Sequence, residues 1–466
     1  MMKKLHLIFA ALMILGTTLN AQWVELVTPT INYEIKSSSF IDLEISLEGE
    51  PYLLYNVEVP TEGEKDSKWK LFVQKYNPSN EEWSLVGGTF VNELSASDNH
   101  LAMDSEDNIY VAYLKLGIYG EGSWCTVNKF DGANWVQIGD WNAGIVMSDV
   151  TMYCDNNDDV YVSYFDVDTY SGPVVKRYLG TGSGWETLGE EPFLPSGQCL
   201  GPALTTDNDG NVLVSFGDGY AGLFFSVKKF NGTNWEYIGS PGFWDEPNYP
   251  TSIIVGHNDV VHATTTDFWS LTSTVLNREN NTWNDQFICY DAGNMPFTKS
   301  NNEVYMGYAV SDNGYRVRVK KVDDSGNWVD LPDQPGQYCI TPGWPRTYFD
   351  IEADNYGNLY LAYLKGDHWN HHVSVLKLDI ATGVSVAEKE NYTIYPNPTN
   401  GILNLTGFQN LLGFEISDIT GKIVYTRGHV PSGIPLQIDL SGLKKGVYIA
   451  NITTSQNSYI EKLIIR

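Results

Sequence analysis

Residues 104–113 read DSEDNIYVAY, and residues 354–363 read DNYGNLYLAY. Between them, DNNDDVYVSY occupies 155–164 and DNDGNVLVSF occupies 207–216. Each stretch opens on an Asp-, Asn- and Gly-rich turn and runs into a short segment of β-branched and aromatic residues, the pattern of a hairpin entering its second strand. Weaker copies at 47–55, 256–265 and 300–308 bring the number to seven.

Outward from each copy the order repeats. A basic or valine-rich strand follows, as at 226–230 or 317–322, then a polar turn such as Asn231-Gly232 or Asp131-Gly132, then a strand led by Trp. The leaders Trp83, Trp135, Trp185, Trp235, Trp283 and Trp328 are spaced 52, 50, 50, 48 and 45 apart. In four of them an aliphatic residue sits three on and Gly four on: Val86-Gly87, Ile138-Gly139, Leu188-Gly189 and Ile238-Gly239. Residues three apart on a strand point to opposite faces, so both faces are apolar, as a sheet stacked between two others requires. Four strands per period of about 50 residues predict an all-β, seven-bladed β-propeller over residues 22–383, six and eight blades being the neighbouring counts.

The seventh copy ends at Thr382-Gly383 with no Trp strand, and the missing piece stands at the other end, QWVELV at 22–27, where Trp23 and Leu26 keep the offset. The N-terminal strand is therefore expected to complete the last blade and remove its open edge. A pair of β-sandwiches accounts for the alternation but not for the period or the split repeat. The D-x-x-G-N turns loosely resemble those of secreted bacterial propeller repeats; the sialidase Asp-box, the kelch double glycine and the paired Trp-Asp ending are absent from the sequence.

Lys3 and Lys4, the apolar run at 5–19 and Ala21 read as a secretory signal peptide over residues 1–21. The run is short for a membrane span. With 57 Asp and Glu against 29 Lys and Arg, the net charge of −28 argues against nucleic acid and anionic membrane surfaces as partners. The five cysteines, Cys125, Cys154, Cys199, Cys289 and Cys339, contain no C-x-x-C pair. An exported chain permits a bridge, such as Cys289 with Cys339, and buried free thiols fit the count equally well.

Residues 384–390, VSVAEKE, read as a polar linker, and beyond it lies a separate pattern. Tyr395-Pro396-Asn397-Pro398-Thr399 and Gly401 come first, then Asp418-Ile419-Thr420-Gly421-Lys422, then Leu440 with Gly446-Val447-Tyr448, then the final run 462–466. In this order, residues 391–466 resemble the type A sorting domain of the type IX secretion system. The resemblance implies an Ig-like β-sandwich, engagement of the translocon and sortase through this domain, and a product either released or attached to the outer-membrane surface. The alternation at Ile402, Leu403, Leu405, Phe414 and Ile416 fits short strands.

Loops between the second and third strands of each blade, and loops between blades, share one face. They carry Tyr119, Tyr170, Asp218, Tyr220, Asp267 and Trp269, with Trp244, Trp344 and Trp369. Aromatic rings beside carboxylates suit sugars, so these nine are the expected ligand-binding residues for an extracellular glycan or protein. Their alternative role is to pack their own loops. His368-x-x-His371-His372 lies on a predicted loop without the helix of a zinc motif, and the turn at 207–211 lacks the terminal Glu of a calcium loop, so no metal site is assigned. No nucleophile elbow, phosphate loop or dinucleotide fingerprint occurs, and no cofactor or catalytic residue is assigned. Two functions stay open: a binding protein, and a polysaccharide lyase or glycoside hydrolase built on the propeller.

Overall fold

The computed structural model describes residues 23–33, 35–36, 39–60, 68–92, 94–117, 122–144, 149–165, 172–179, 184–189, 193–195, 197, 199–256, 259–267, 272–279, 282–290, 295–300, 303–311, 315–331, 335, 338–339, 349–366, 371–379, 393–406, 411–418, 422–427, 436–454 and 458–466. The predicted leader 1–21 and linker 384–390 lie outside them. So do Tyr119, Tyr170, Trp269, Trp344, Trp369 and Gly421. Two compact units result, one over residues 20–381 and one containing the C-terminal segment from 382.

The larger unit is all antiparallel sheet, built in units of four strands. The first sheet is Ile41–Ile45, Pro51–Val59, Lys68–Asn77 and Glu82–Leu85. The second is Ala96–Met103, Ile109–Leu116, Ser123–Phe130 and Trp135–Gly144, and the third Val150–Cys154, Val160–Phe165, Pro173–Tyr178 and Trp185–Thr187. The fourth is Cys199–Thr206, Val212–Asp218, Phe224–Phe230 and Trp235–Tyr237; the fifth is Trp244–Val255, Val261–Asp267, Thr272–Glu279 and Thr282–Tyr290. These two join, because Trp244 and Pro247 pair with Phe225 and Phe224. The sixth is Phe297–Ser300, Glu303–Ser311, Tyr315–Val322 and Trp328–Asp330, with Tyr338–Cys339 added to its third strand.

The seventh sheet contains Phe349–Ala353, Leu359–Gly366 and His371–Leu378. Its fourth strand is Trp23–Glu25, in the register Trp23 to Leu378, Val24 to Lys377 and Glu25 to Leu376. The first and last strands of the larger unit thus pair in one sheet, as the split repeat requires.

Each sheet stacks on the next through apolar side chains. Tyr52, Leu54 and Val73 of the first pack with Leu101, Val111 and Tyr113 of the second. Tyr360, Ala362 and Val375 of the seventh pack with Ile41, Leu43 and Tyr55 of the first. Fully burying such an aliphatic side chain contributes about 1.5–3 kcal/mol. The first strand of each sheet contacts the first strand of the next, and Phe349–Ala353 contacts Ile41–Ile45. The arrangement is propeller-like.

The repeated turns explain themselves. Asp104 accepts from the backbone N–H groups of Glu106 and Asn108, and from the Tyr110 hydroxyl. Asp155 and Asp354 do the same with Asn157, Asp159 and Tyr161, and with Tyr356, Asn358 and Tyr360. The aspartates are turn formers, as Asx geometry predicts. Cys125, Cys154 and Cys199 are free thiols. The side chains of Cys289 and Cys339 lie outside the described residues.

The C-terminal unit has two sheets. One joins Thr393–Tyr395, Ile402–Thr406 and Leu436–Asp439; the other orders Ile423–Arg427, Leu411–Asp418, Gly446–Thr454 and Ser458–Ile465. Leu403, Leu405 and Ile438 of the first meet Phe414, Ile416, Tyr448 and Leu463 of the second in one buried core. Among the described residues no helix is long and apolar enough to cross a membrane.

Candidate functional site

The predicted loop-face residues that the structure describes do not converge. Asp218 is fully buried and accepts from the Tyr220 N–H (3.0 Å), the Ser226 hydroxyl (3.1 Å) and the Tyr237 hydroxyl (2.8 Å). A carboxylate so occupied holds its own loop. Trp244 packs beside Phe243 and Trp283 against a core of Ala203, Phe225 and Ile253. Asp267 is buried. Tyr220 alone of these four is exposed. Asp218 and Trp244 thus have partners within the fold beside their expected ligand role.

The side chains that do converge stand on the innermost strands. In a strand, residues two apart share a face. One set facing a cavity of about 310 Å³ is Asp42, His100, Thr151, Ala203, Ser252, Pro296 and Asp350. Two residues further on, Glu44, Tyr153, Thr205, Ile254, Thr298 and Glu352 line the same cavity. All seven sheets contribute to the wall. The volume is at the lower end of small-molecule sites.

Carboxyl groups dominate one side, where the first and seventh sheets adjoin. Asp42 accepts from the Leu101 N–H at 2.6 Å, and Asp350 accepts from the Leu43 N–H at 3.0 Å. Asp42 and Asp350 stand close enough that each acts on the other's carboxyl. Glu352 accepts from the Thr298 hydroxyl at 2.9 Å, and that hydroxyl accepts from the Ala353 N–H at 3.1 Å. Burial, then repulsion from Asp350, pushes Asp42 well above the usual carboxylate range. Burial, then the neighbouring Asp42 and Asp350 charges, does the same to Glu44. Burial, then Glu44 and Asp350, raises Glu352. Asp350 is raised by burial against the opposing bonds from Asp42, Leu43 and Ile351. Burial and mutual repulsion thus favour the neutral form of these acids, which both donates and accepts.

His100 faces the same space, its Nδ1 3.8 Å from Asp42, and burial draws it down to about 4 against a bond to the Val150 backbone. At neutral pH the imidazole is uncharged, so the contact is not an ion pair. The ring is 37% exposed and Asp42 17%, and the lumen is where both are accessible. Lys299 also lines the cavity; burial lowers it, and its Nζ reaches the Val255 carbonyl. Among the described residues no group of His, Cys, Asp and Glu is arranged to hold a metal ion.

The sequence carried a signal for this site. IDLEI at 41–45 and FDIEA at 349–353 place acids at alternate positions of otherwise apolar strands, in the first and last copies of the repeat. Such acids must face something other than a dry core.

The C-terminal motif residues are joined to one another. Tyr395-Pro396 and Asn397-Pro398 are cis peptides. Asn397 Oδ1 accepts from the Ile464 N–H at 3.0 Å, and the Thr399 N–H donates to the Ile464 carbonyl at 2.8 Å. Gly401 has φ 118° and would set a Cβ 3.0 Å from Ser441 Cα. The Tyr448 hydroxyl donates to the Lys444 carbonyl, close after the sharp turn that ends at Gly446. Tyr395 is half exposed.

Comparison with known proteins gives one family. Residues 393–466 match the family described as "Secretion system C-terminal sorting domain". The match begins two residues inside the expected boundary, and it implies secretion by the type IX machinery. No curated protein matches the chain. Among solved structures, an α-L-arabinanase of Penicillium chrysogenum complexed with arabinobiose is 11% identical, with a TM-score of 0.44, over 78% of this chain and 98% of the other. An ulvan lyase bound to -[GlcA(1-4)Rha3S]- is 10% identical with a TM-score of 0.46, over 77% and 96%. A protein of unknown function from Dyadobacter fermentans is 13% identical with a TM-score of 0.42, over 77% and 97%.

Proposed function

We propose that this is an exported, extracellular binding protein: a seven-bladed propeller, closed by its N-terminal strand, whose central cavity holds a polyhydroxylated, glycan-type ligand. The Ig-like C-terminal domain engages the type IX translocon and sortase and delivers the propeller to the medium or to the outer-membrane surface. One observation carries the ligand reading. The cavity wall combines buried carboxyls at Asp42, Glu44 and Glu352, all pushed toward the neutral form, with hydroxyls at Thr151, Thr205 and Ser252 and apolar surface at Leu204, Ile253 and Phe297. Neutral donor–acceptor groups beside apolar surface match the hydroxyls and C–H faces of a sugar. Exposed Tyr220, with Tyr119, Tyr170, Trp269, Trp344 and Trp369 of the same loop set, would extend that surface at the mouth.

Binding is preferred to glycoside cleavage on the geometry of the acids. Cleaving pairs stand about 5–9 Å apart to admit a nucleophile or water at the sugar. Asp42 and Asp350 stand on strands packed together, and each is engaged by a backbone N–H of an adjoining strand. The test is a glycan array and a polysaccharide-degradation panel on the full mature chain, repeated with Glu44→Gln, Thr205→Val and Trp269→Ala. Captured glycans that are lost in Glu44→Gln and Thr205→Val, with no new reducing or unsaturated ends, support the reading. Turnover of any polymer, or binding abolished by Trp269→Ala and untouched by the cavity variants, overturns it.

A further inference from the structure

The four carboxyls of the cavity come from strands at opposite ends of the chain's sheet order. Asp42 and Glu44 stand on Ile41–Ile45, Asp350 and Glu352 on Phe349–Ala353, and these two strands pack together. A set of hydrogen bonds crosses the junction: Leu101 N–H to Asp42, Leu43 N–H to Asp350, and Ala353 N–H through Thr298 to Glu352. It ties the innermost strands of the second, first, seventh and sixth sheets in sequence.

We propose that this junction is a proton-dependent lock: with protons held among Asp42, Glu44, Asp350 and Glu352 the first and last sheets are joined at the cavity, and loss of those protons sets like charges face to face and loosens the seam. The inference rests on the closed-ring reading and is independent of what ligand the cavity takes. The charges that face the four acids are few. His100, from the second sheet, is neutral, and Lys299, from the sixth, is turned to the Val255 carbonyl. Tyr153 and Cys154 of the third sheet line the cavity, and burial raises both, so neither is charged at neutral pH. The strands behind, Pro51–Val59 and Leu359–Gly366, place no residue on the wall among the described residues. Among the described residues no Lys or Arg is paired with the four acids, so the proton takes that part.

The sign is fixed by linkage. All four carboxyls are raised in the folded state, so the folded chain holds protons that the unfolded chain has released above the ordinary carboxylate range. Their contribution is full at low pH and is lost as pH rises through the folded values. His100 and His262 work in the opposite direction. Both are drawn down to about 4, so they cost stability as pH falls below about 6.5, the imidazole value in the unfolded chain.

All 14 Trp residues precede residue 370, so tryptophan fluorescence of the full mature chain reports the larger unit alone. Its melting midpoint, followed from pH 6.5 to 8.5, is expected to fall by about 4 °C or more. Asp42→Asn with Glu44→Gln keeps the donors and removes two of the four titrations; the fall of the midpoint with pH should become distinctly shallower, and the midpoint should exceed wild type at pH 8.5. Glu25→Gln, on the outermost strand, is the charge-removal control and should leave the slope unchanged. A flat wild-type profile overturns the lock even if the double variant fails to fold, and so does a double variant with the wild-type slope. Neither outcome bears on glycan binding, which the array decides.

Discussion

The indole N–H of Trp83 donates to the carbonyl of Val27 at 2.6 Å. The same bond recurs between successive sheets: Trp185 to Ile138 at 2.9 Å, Trp235 to Leu188 at 3.1 Å and Trp283 to Ile238 at 2.9 Å. In those three the acceptor lies three residues past the preceding Trp; Val27 lies four past Trp23. The segment after the N-terminal strand therefore stands to the first sheet as each outer strand stands to the sheet that follows it. A Trp ring fills the space between sheets, and its single polar atom finds the neighbour's free carbonyl.

Removing residues 22–27 from the mature chain should lower the fluorescence melting midpoint far more than trimming an ordinary tail. Trp23 is buried among Leu331, Phe349 and Leu378, and losing a buried aromatic costs about 3–5 kcal/mol. The deletion also orphans the Trp83 indole and the outer edge of His371–Leu378. An unchanged midpoint would remove the case for closure by the N-terminal strand.

Two conservative substitutions separate the indole bond from the ring. Trp235→Phe keeps an aromatic in place and deletes the bond to Leu188, for a cost of about 1 kcal/mol. Trp135 occupies the same strand position, but its buried indole nitrogen has no hydrogen-bond partner among the described residues. Trp135→Phe should therefore be neutral or slightly stabilising. Denaturant melts of the two variants decide the matter, and equal losses would mean that only ring volume counts.

Asp218→Ala should destabilise the larger unit by about 2–3 kcal/mol, since it strips the acceptor from Tyr220, Ser226 and Tyr237 in a buried setting. Asp218→Asn keeps one acceptor oxygen and should cost less. If instead Asp218→Ala melts like wild type and loses glycan capture on the array, Asp218 is a ligand residue after all.

In the C-terminal unit, Gly401→Ala forces a Cβ against Ser441 at a left-handed φ. That should cost about 1–3 kcal/mol there and leave tryptophan fluorescence unchanged. Truncation at 391 should likewise spare the fluorescence melt, while the chain accumulates in the periplasm of its native host. Normal amounts of truncated chain in the medium would refute the sorting role.

The repeat, the Trp spacing and the split seventh copy were legible because each is local: turn chemistry, period-2 alternation and a fixed interval between like residues. The sorting domain was legible for a related reason, since its short motifs fall in a fixed order near one end. The loop-face expectation rests on composition. Asp218 and Trp244 have the composition of a binding surface, and composition does not say whether a polar or aromatic group already has partners inside its own sheet.

The sequence by itself determined the all-β class, the period, the strand that completes the seventh sheet and the export module, because these depend on residues near one another or on a recurring interval. The tertiary structure alone decided where the chemistry gathers. Asp42 and Asp350 are 308 positions apart, and only stacking of the first sheet on the seventh brings their carboxyls into one cluster. Their raised affinity for protons follows from that juxtaposition, because a carboxylate's protonation is set by burial and by the charges around it, neither of which is a property of its place in the chain.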